Sequence, residues 1–360
     1  MSAASLAPLT TVGVGGPARH YVEAKSENGI IEAVRGADES GAQLLIIGGG
    51  SNLVIADGGW PGTVVRIAST GYSVAEDGTG SVLLDVEAGQ PWDELVDFSV
   101  RQGLSGLEAL SGIPGLTGAT PVQNVGAYGA DVSQTIVSVR TWDRQERAAK
   151  VFTAAELGFG YRDSLLKRST VNGSPRYVVL SVRFRLEQTS LSAPVRYAEL
   201  ARSLGVEAGQ RAGAADVRRE VLRLRASKGM VLDPADRDTF STGSFFTNPI
   251  VDPAVAGTLP EGAPRWPAGQ QVKLSAAWLI DHAGFGKGFG LAGTGNGAVD
   301  GFAVAGGRAS LSTKHTLAIT NRGTASAADI LAIARTVRDG VESAFGIRLH
   351  PEPLLINCRL

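Results

Sequence analysis

Hydrophobic positions recur with two different periods along the first third of the chain. Short apolar runs, which are typical of β-strands, alternate with stretches in which apolar residues return every three or four positions, as in amphipathic helices. The pattern predicts strands at residues 19–24, 43–47, 63–67 and 81–86, and helices at 28–41 and 92–102. Strands and helices are therefore expected to pack against one another in this part of the chain.

The rest of the chain continues this mixture without a regular strand–helix–strand rhythm. Strands are predicted at 137–142, 176–186, 310–320 and 349–356, and helices at 214–226, 272–282 and 325–345. A single large parallel sheet would require a helix after almost every strand. The pattern instead predicts an α+β fold with several small sheets.

The segment 109–130 interrupts the pattern with 22 uncharged residues, among them five glycines and two prolines. Pro114 and Pro121 exclude a continuous helix, and the segment is too apolar for a solvated linker. Long loops inside compact domains are usually functional, so we expect this one to wrap an extended ligand, such as a flavin dinucleotide. A buried connecting loop is the alternative.

A second glycine-rich segment, Gly48-Gly49-Gly50-Ser51-Asn52, directly follows a predicted strand. Consecutive glycines allow several backbone N–H groups to face one anion, as in a phosphate-binding nest. A plain turn at the end of the strand is an equally good interpretation of this segment alone. It does not match the G-x-G-x-x-G pattern of dinucleotide-binding helices.

Three further segments carry little weight by themselves. The sequence Ser164-Leu165-Leu166-Lys167 fits the S-x-x-K pattern of acyl-serine enzymes, but no S-D-N or K-T-G motif accompanies it. Arg162 within Tyr161–Ser164 would ordinarily form a surface ion pair. The hydroxyls around Ser244 would ordinarily cap a turn whose two phenylalanines are buried.

Composition narrows the class of protein. The 34 basic and 35 acidic residues give a net charge of −1, which does not favour a nucleic-acid-binding protein. A single cysteine excludes an intramolecular disulfide, and the four scattered histidines lack metal-site spacing, so no metal is predicted. We find no secretory signal and no apolar run of membrane-spanning length. We expect a cytoplasmic monomer without membrane insertion.

Taken together, the motifs resemble one family, the UDP-N-acetylenolpyruvoylglucosamine reductases. The matching segments occur in the family's order: GGGSN at 48–52, SGIPGLTGATPVQNVGAYG at 111–129, YRDS at 161–164, RASKGMVLD at 225–233, GSFFTNP at 243–249, KLSAAWLID at 273–281, LSTKHTLAITN at 311–321 and HPEPLLI at 350–356. The YAEL segment after Arg196 resembles the subtype with a tyrosine loop. The resemblance implies an oxidoreductase of peptidoglycan precursor synthesis.

The resemblance also implies an architecture and its ligands. It implies a vanillyl-alcohol-oxidase-type FAD-binding fold in two subdomains, 1–70 and 71–215, and a substrate-binding domain at 216–345. The C-terminal strand within 346–360 would lie near the active site. FAD would be held non-covalently and reduced by NADPH, and the substrate would be a sugar nucleotide.

Individual residues acquire roles only through this resemblance. Arg162, Ser244 and Glu352 match the family's catalytic residues, with Ser244 as the proton donor. Tyr197, Lys228 and Asn248 resemble its substrate contacts. The FAD contacts would be Gly48, Gly49, Gly50, Ser51, Asn52, Pro114, Gly115, Gly118, Ala119, Gly126, Ala127, Tyr128 and Arg225.

Some positions depart from the family pattern. His350 replaces an acid, and Pro353 stands where a β-branched residue is commoner. The glycine-rich stretch 285–300 is long and is expected to be a surface insertion, with an extra loop over the substrate as the alternative.

Two other functions would require different sequence features. An FAD oxidase of the same fold would often tether its flavin to a histidine, and neither glycine-rich segment contains one. A non-catalytic sugar-nucleotide-binding protein would not need the three catalytic matches.

Overall fold

The computed structural model describes residues 4–171 and 173–360. Its strands are β1 (Ala4–Ser5), β2 (Pro17–Ala24), β3 (Leu44–Ile47), β4 (Leu53–Ile55), β5 (Trp60–Ile67), β6 (Tyr72–Glu76), β7 (Ser81–Glu87), β8 (Leu104–Ser105), β9 (Gly126–Ala127), β10 (Ala130–Asp131), β11 (Ile136–Asp143), β12 (Ala148–Thr153), β13 (Thr170–Val171), β14 (Ser174–Pro175), β15 (Tyr177–Gln188), β16 (Ile250–Val251), β17 (Arg265–Ala268), β18 (Gln271–Leu274), β19 (Ala309–Leu311), β20 (Ile319–Asn321) and β21 (Leu354–Ile356). Its α-helices are α1 (Glu27–Glu39), α2 (Trp92–Arg101), α3 (Ala154–Leu157), α4 (Leu165–Arg168), α5 (Ala198–Leu204), α6 (Ala214–Ser227), α7 (Pro253–Gly257), α8 (Ala276–His282), α9 (Gly301–Ala305) and α10 (Ala327–Phe345).

The described elements form two compact units that alternate along the chain. The first unit contains Ala18–Gly50 and Trp60–Ser227, and the second contains Ser5–Pro17, Ser51–Gly59 and Lys228–Leu360. Each unit therefore has its own core. The predicted division into two cofactor subdomains and a substrate domain is finer than these two units and stays a prediction.

In the first unit, β2, β5 and β3 form a parallel arrangement covered by α1. The Ser26 side chain accepts a hydrogen bond from the Gly29 N–H and starts α1, whose apolar face buries Ile30 and Val34. A larger antiparallel sheet has the order β12-β11-β15-β7-β6. Its alternating burial places one face of β7 and β15 in the same apolar core.

In the second unit, α10 supplies the centre of the core. Ser326 and Asp329 cap its first turn in a reciprocal pair of hydrogen bonds, and Gly346, with φ of 68°, ends it. The helix buries residues such as Ile330 and Val337 against α8, α9 and the β19–β20 hairpin. The short strand β4 pairs in parallel with β21, close to the C-terminus.

Three local predictions are corrected by the structure. Residues 272–282 are not one helix, because 271–274 pair as β18 and the Ser275 side chain then starts α8. Residues 310–320 are not one strand, because a turn separates β19 from β20. Only Leu354–Ile356 of the final predicted strand has ladder pairing.

The glycine-rich stretch 285–300 is not purely a surface insertion. Phe285 and Phe289 are fully buried, and a Cβ on Gly340 of α10 would lie 2.3 Å from the Phe285 ring. The remainder of the stretch is largely exposed. Among the described helices, none is both long and apolar enough to cross a membrane.

Candidate functional site

The glycine segment that follows β3 meets the loop 109–130 backbone to backbone. A Cβ on Gly49 would lie 2.7 Å from the Gly115 Cα atom, and Gly50 has a φ of 60°. A side chain at position 49 would therefore push the two loops apart, and a side chain at position 50 would strain the backbone. Among the described residues, the N–H groups of Gly49 and Gly50 donate to no other backbone group. Gly49 is exposed and Gly50 is buried, and such uncharged backbone N–H groups fit the phosphates of a dinucleotide such as FAD.

The first half of the 109–130 loop is fixed on the β7–α2 turn. The N–H group of Gly118 donates to the Ala88 carbonyl at 2.8 Å, and the Gly115 carbonyl accepts from the Trp92 N–H at 3.0 Å. A Cβ on Gly118 would lie 2.6 Å from the Ala88 Cβ. Backbone hydrogen bonds therefore hold this half of the loop beside the end of β7 and the start of α2.

Asp93 at the start of α2 holds the same loop electrostatically. Its carboxylate accepts a hydrogen bond from the Gly112 N–H and two from the Arg218 guanidinium. Burial raises the pKa of Asp93, but these hydrogen bonds outweigh it and the pKa is lowered overall. Arg225, two helix turns beyond Arg218, is buried, and this burial lowers its pKa. An anionic ligand beside Arg225 would offset part of that cost.

The second half of the loop carries Tyr128 in a tight hairpin between β9 and β10. Tyr128 and Gly129 both have positive φ, at 50° and 82°, as a two-residue type I′ turn requires. The Tyr128 ring meets the exposed Tyr197 ring edge-on, with centroids 5.5 Å apart. The structure therefore brings together one predicted cofactor contact and one predicted substrate contact.

Arg162 lies against this second half of the loop. Its guanidinium donates to the Gly126 carbonyl at 2.7 Å and to the Asn124 carbonyl at 3.4 Å. The backbone φ of Arg162 is 54°, a conformation that residues other than Gly, Asn and Asp rarely adopt. The fold thus fixes both the backbone and the head group of the predicted catalytic arginine.

In the second unit, backbone pairing brings Ser244 and Glu352 into neighbouring segments. Ser244 forms a bridge with Ala318, and the Phe245 carbonyl accepts the Glu352 N–H at 2.9 Å. Phe245 and Phe246 are buried, and their edge-on rings anchor the segment. The expectation that these phenylalanines are core residues is confirmed, and the site at Ser244 stays a prediction.

Asn52 flanks Glu352 in this unit. Its side-chain amide donates to the Glu352 carbonyl at 3.4 Å, and its own carbonyl accepts the Leu354 N–H at 3.0 Å. His350, one of the departures from the family pattern, has an exposed side chain, and its carbonyl accepts the Thr247 N–H. The other departure, Pro353, is buried. With both residues present, the Glu352 N–H donates to the Phe245 carbonyl.

Sequence reasoning missed Asp238, which organises the turn beside Ser244. Its buried carboxylate accepts hydrogen bonds from the Thr313 N–H and hydroxyl and from Arg322. Burial raises the pKa of Asp238, but these donors lower it overall. A Cβ on Gly229 would lie 3.2 Å from the Asp238 Cβ, so Asp238 also contacts the residue after Lys228. No sequence motif marks this role.

Thr242 was also missed. Its hydroxyl oxygen is buried and has no hydrogen-bond partner among the described residues. Buried hydroxyls are nearly always bonded to protein, water or ligand. An ordered water or a polar group of a ligand would satisfy the hydroxyl of Thr242, which lies two residues before Ser244.

The remaining predicted contacts divide between the units. Pro114, Ala119 and Ala127 lie on the 109–130 loop of the first unit, Gly48 directly follows β3, and Ser51 and Lys228 belong to the second unit. The Asn248 side-chain carbonyl accepts the Ala276 N–H at the start of α8, so part of its role is structural.

Arg162 belongs to the first unit, and its meeting with Ser244 and Glu352 stays a prediction. No cluster of three metal-ligating side chains occurs in residues 4–171 and 173–360.

Comparison with known sequence families matches most of the chain. Residues 18–151 match a family described as "FAD binding domain", and residues 233–356 match "UDP-N-acetylenolpyruvoylglucosamine reductase, C-terminal domain". The first match confirms the predicted FAD-binding α+β fold, and FAD is the cofactor that the glycine loops fit.

Individual relatives span nearly the full length. A UDP-N-acetylenolpyruvoylglucosamine reductase of Saccharopolyspora erythraea is 52% identical over 99% of this chain and 95% of its own. One from Cutibacterium acnes is 51% identical over 99% of this chain and 90% of its own. The crystal structure of the enzyme from Thermus caldophilus matches 98% of this chain and 97% of its own, with a TM-score of 0.65 and 26% identity.

Proposed function

The chain belongs to the UDP-N-acetylenolpyruvoylglucosamine reductase family, and we propose that it reduces the enolpyruvyl ether of that sugar nucleotide to UDP-N-acetylmuramate with electrons from NADPH. The substrate carries a carboxylate next to a carbon–carbon double bond. FAD, which the glycine-rich segments 48–52 and 109–130 would hold, would supply hydride for the methylene carbon of that bond. The protein must then hold the negative charge that develops on the carboxylate and protonate the neighbouring carbon.

Arg162 and Glu352 are the groups that we assign to this charge. The Arg162 guanidinium is oriented by two backbone carbonyls, and a fixed, planar cation suits a developing enediolate. Glu352 would act through its carboxyl group, or through a cation or water held by it. Its backbone is fixed to Phe245.

Ser244 is the group that we assign to proton donation. A serine hydroxyl is ordinarily a weak acid, but an enediolate carbon is a strong base, so the transfer is favourable. The bridge to Ala318 and the buried Phe245 hold the backbone of Ser244 in place. A fixed donor is what general acid catalysis requires.

The diphosphate and uridine ends of the substrate would bind Lys228, Asn248 and Tyr197. NADPH also carries a diphosphate, so one site would serve the reductant and the substrate in turn. This implies a ping-pong cycle, which predicts parallel lines in double-reciprocal initial-rate plots. The proposal includes a cytoplasmic, monomeric protein.

The observation that carries the proposal is the backbone pairing of the Ser244–Phe246 segment with Pro351 and Glu352. It places the predicted proton donor and the predicted acid on adjacent segments of one unit. The direct test is an absorbance spectrum of the purified protein. Its flavin bands should bleach on addition of NADPH and recover on addition of the enolpyruvyl sugar nucleotide. A protein without flavin bands would contradict the proposal.

Substitution Ser244→Ala separates the two half-reactions. NADPH should still bleach the flavin, while recovery with the enolpyruvyl substrate should slow by about 10²- to 10⁴-fold, because the proton donor is missing. Stopped-flow absorbance measures both steps. Ser343→Ala, an exposed hydroxyl in α10, is the matched control. Equal loss of both half-reactions in Ser244→Ala would remove Ser244 from the proposed role.

A further inference from the structure

We propose that the S-x-x-K motif, Ser164 to Lys167, is a clamp that positions Arg162 on the 109–130 loop, with Lys167 as its positioning residue. The proposal rests on the proposed function, because it assigns Lys167 a role through the catalytic arginine. All of its contacts lie within the first unit. Acyl-serine chemistry, the usual meaning of this motif, plays no part.

Lys167 joins two segments that are distant in sequence. Its ammonium donates to the backbone carbonyl of Arg162 at 2.8 Å and to the side-chain carbonyl of Gln123 at 2.9 Å. Arg162 in turn donates from its guanidinium to the carbonyls of Asn124 and Gly126, in the same loop as Gln123. The arginine is thereby held from its backbone and from its head group at once.

Ser164 forms the second half of the clamp. Its buried hydroxyl donates to the Val122 carbonyl at 2.7 Å and accepts the Lys167 N–H at 3.2 Å, which starts helix α4. The three-residue spacing of the motif is the spacing of an N-cap hydroxyl and its bonded N–H. The Lys167 side chain, at the third position of α4, then reaches back to the Arg162 carbonyl.

The loop side of the clamp is fixed independently. The buried side chain of Asn124 donates to the Gly160 carbonyl at 3.0 Å and accepts the Ser133 N–H at 3.2 Å. Gly160 also pairs with Asp163 through backbone hydrogen bonds on either side of Arg162. The turn 160–163 is thus bonded to the loop at Gly160 and, just beyond its other end, through Ser164.

A clamp is needed because Arg162 has an unfavourable backbone conformation. Its φ of 54° is rarely adopted by arginine and persists only where surrounding contacts enforce it. A charged donor on the carbonyl of that same residue is a strong contact of this kind. Loss of the ammonium should let the 160–163 turn relax and move the guanidinium away from its place.

The test replaces Lys167 by Met, which keeps the length of the side chain but removes its charge. We expect single-turnover reduction of the enolpyruvyl substrate to slow by about 10- to 100-fold, since misplacement of a catalytic group by about 1 Å costs that much. Flavin reduction by NADPH should be unchanged. Lys167→Arg should restore part of the rate. Lys150→Met, which removes an exposed lysine from β12, is the matched control.

A double-mutant cycle separates positioning from general stability. In an Arg162→Ala background, Lys167→Met should cause almost no further loss of rate, because Lys167 acts through the missing arginine. An equal loss of rate in both backgrounds would overturn the proposal. The melting temperature of each variant shows whether a loss of folding contributes.

Hydrogen exchange tests the clamp without any activity. Amides in 122–130 and 160–164 should exchange faster in Lys167→Met than in the wild type, whereas Lys150→Met should leave them unchanged. Unchanged exchange in Lys167→Met would overturn the clamp. If the wild-type protein failed to reduce the substrate while the exchange result held, the proposed function would fail and the clamp would stand.

Discussion

At the scale of single residues, backbone strain is concentrated in the candidate site. The described residues include five non-glycine positions with positive φ, and Asn124, Tyr128 and Arg162 are three of them. Such conformations cost about 1–3 kcal/mol each and persist where the surrounding structure enforces them. Asparagine tolerates this region, but nothing in the sequence marks Tyr128 or Arg162 for it. The resemblance identified Arg162, and only the structure shows how it is held.

Arg162→Lys should be costly although the charge is kept. An ammonium cannot reproduce a planar fork that bonds two carbonyls and a substrate carboxylate. We expect turnover to fall by roughly 10²- to 10³-fold, the usual cost of losing one oxyanion donor, with flavin reduction unaffected. Arg183→Lys, which breaks a bidentate pair with Asp85 on the exposed sheet face, is the control. Wild-type turnover in Arg162→Lys would exclude Arg162 from the mechanism.

Thr242→Val tests the buried hydroxyl beside Ser244. Valine has nearly the same shape, so it removes a hydrogen bond without leaving a cavity. If the hydroxyl binds the sugar nucleotide, the KM for that substrate should rise by about 2- to 10-fold, the value of one neutral hydrogen bond. The unfolding midpoint of the free protein should be unchanged or higher, because a buried hydroxyl without a protein partner adds no stability. An unchanged KM would exclude Thr242 from binding.

At the scale of elements, the longer amphipathic helices were the most predictable. The predictions for α1, α6 and α10 fall within two or three residues of the observed bounds, because each combines amphipathic spacing with a clear start or stop signal. The β18–α8 boundary was missed because apolar residues run through it, and Ser275 alone marks the change. The turn between β19 and β20 was missed because its threonines and histidine also suit strands.

The start of α10 makes stability depend on pH. Asp329 bonds Arg308 and Ser326, and these contacts lower the pKa of its carboxyl to about 2 from an ordinary value near 3.8. Because the folded pKa is depressed, the stabilisation is complete above about pH 4 and is lost as the pH falls through about 2. Arg308 is half exposed, so water screens the pair and we expect a contribution of about 1 kcal/mol.

Asp329→Asn should therefore lower the urea midpoint of unfolding at pH 7 by an amount equivalent to about 1 kcal/mol of unfolding free energy. Near pH 3 the difference in unfolding free energy between this variant and the wild type should shrink to about half, because the stabilisation by the Asp329 carboxylate is already partly lost at that pH. Asp339→Asn, on an exposed position of the same helix, is the control. A difference that does not change between pH 7 and pH 3 would contradict the assigned pKa.

At the scale of the whole molecule, the two units are interleaved in sequence. The second unit takes Ser5–Pro17 and Ser51–Gly59 from the N-terminal part of the chain. Val12, Val14 and Val54 from these segments are buried in its core, and β4 completes the pair with β21. The sequence could not show this, because short apolar segments do not reveal which core they join.

A truncated chain of residues 228–360 should consequently fail to fold by itself, although it contains the whole matched C-terminal family region. It lacks three buried valines and the partner strand of β21, and loss of each large buried side chain costs about 1.5–3 kcal/mol. Near-ultraviolet circular dichroism and cooperative urea unfolding measure this. Addition of a peptide of residues 51–59 should promote structure, and a scrambled peptide of the same composition should not. Cooperative unfolding of the bare fragment would contradict the expectation.

The β4–β21 pair also bears on how the protein is made in the cell. About 300 residues separate the two strands, so a ribosome adding about 5–20 residues each second needs roughly 15 to 60 seconds to travel between them. Throughout that interval the nascent Leu53–Ile55 strand has no partner, and Val54 has no core to enter. The β4–β21 pair can therefore form only after residues 354–356 have left the ribosome.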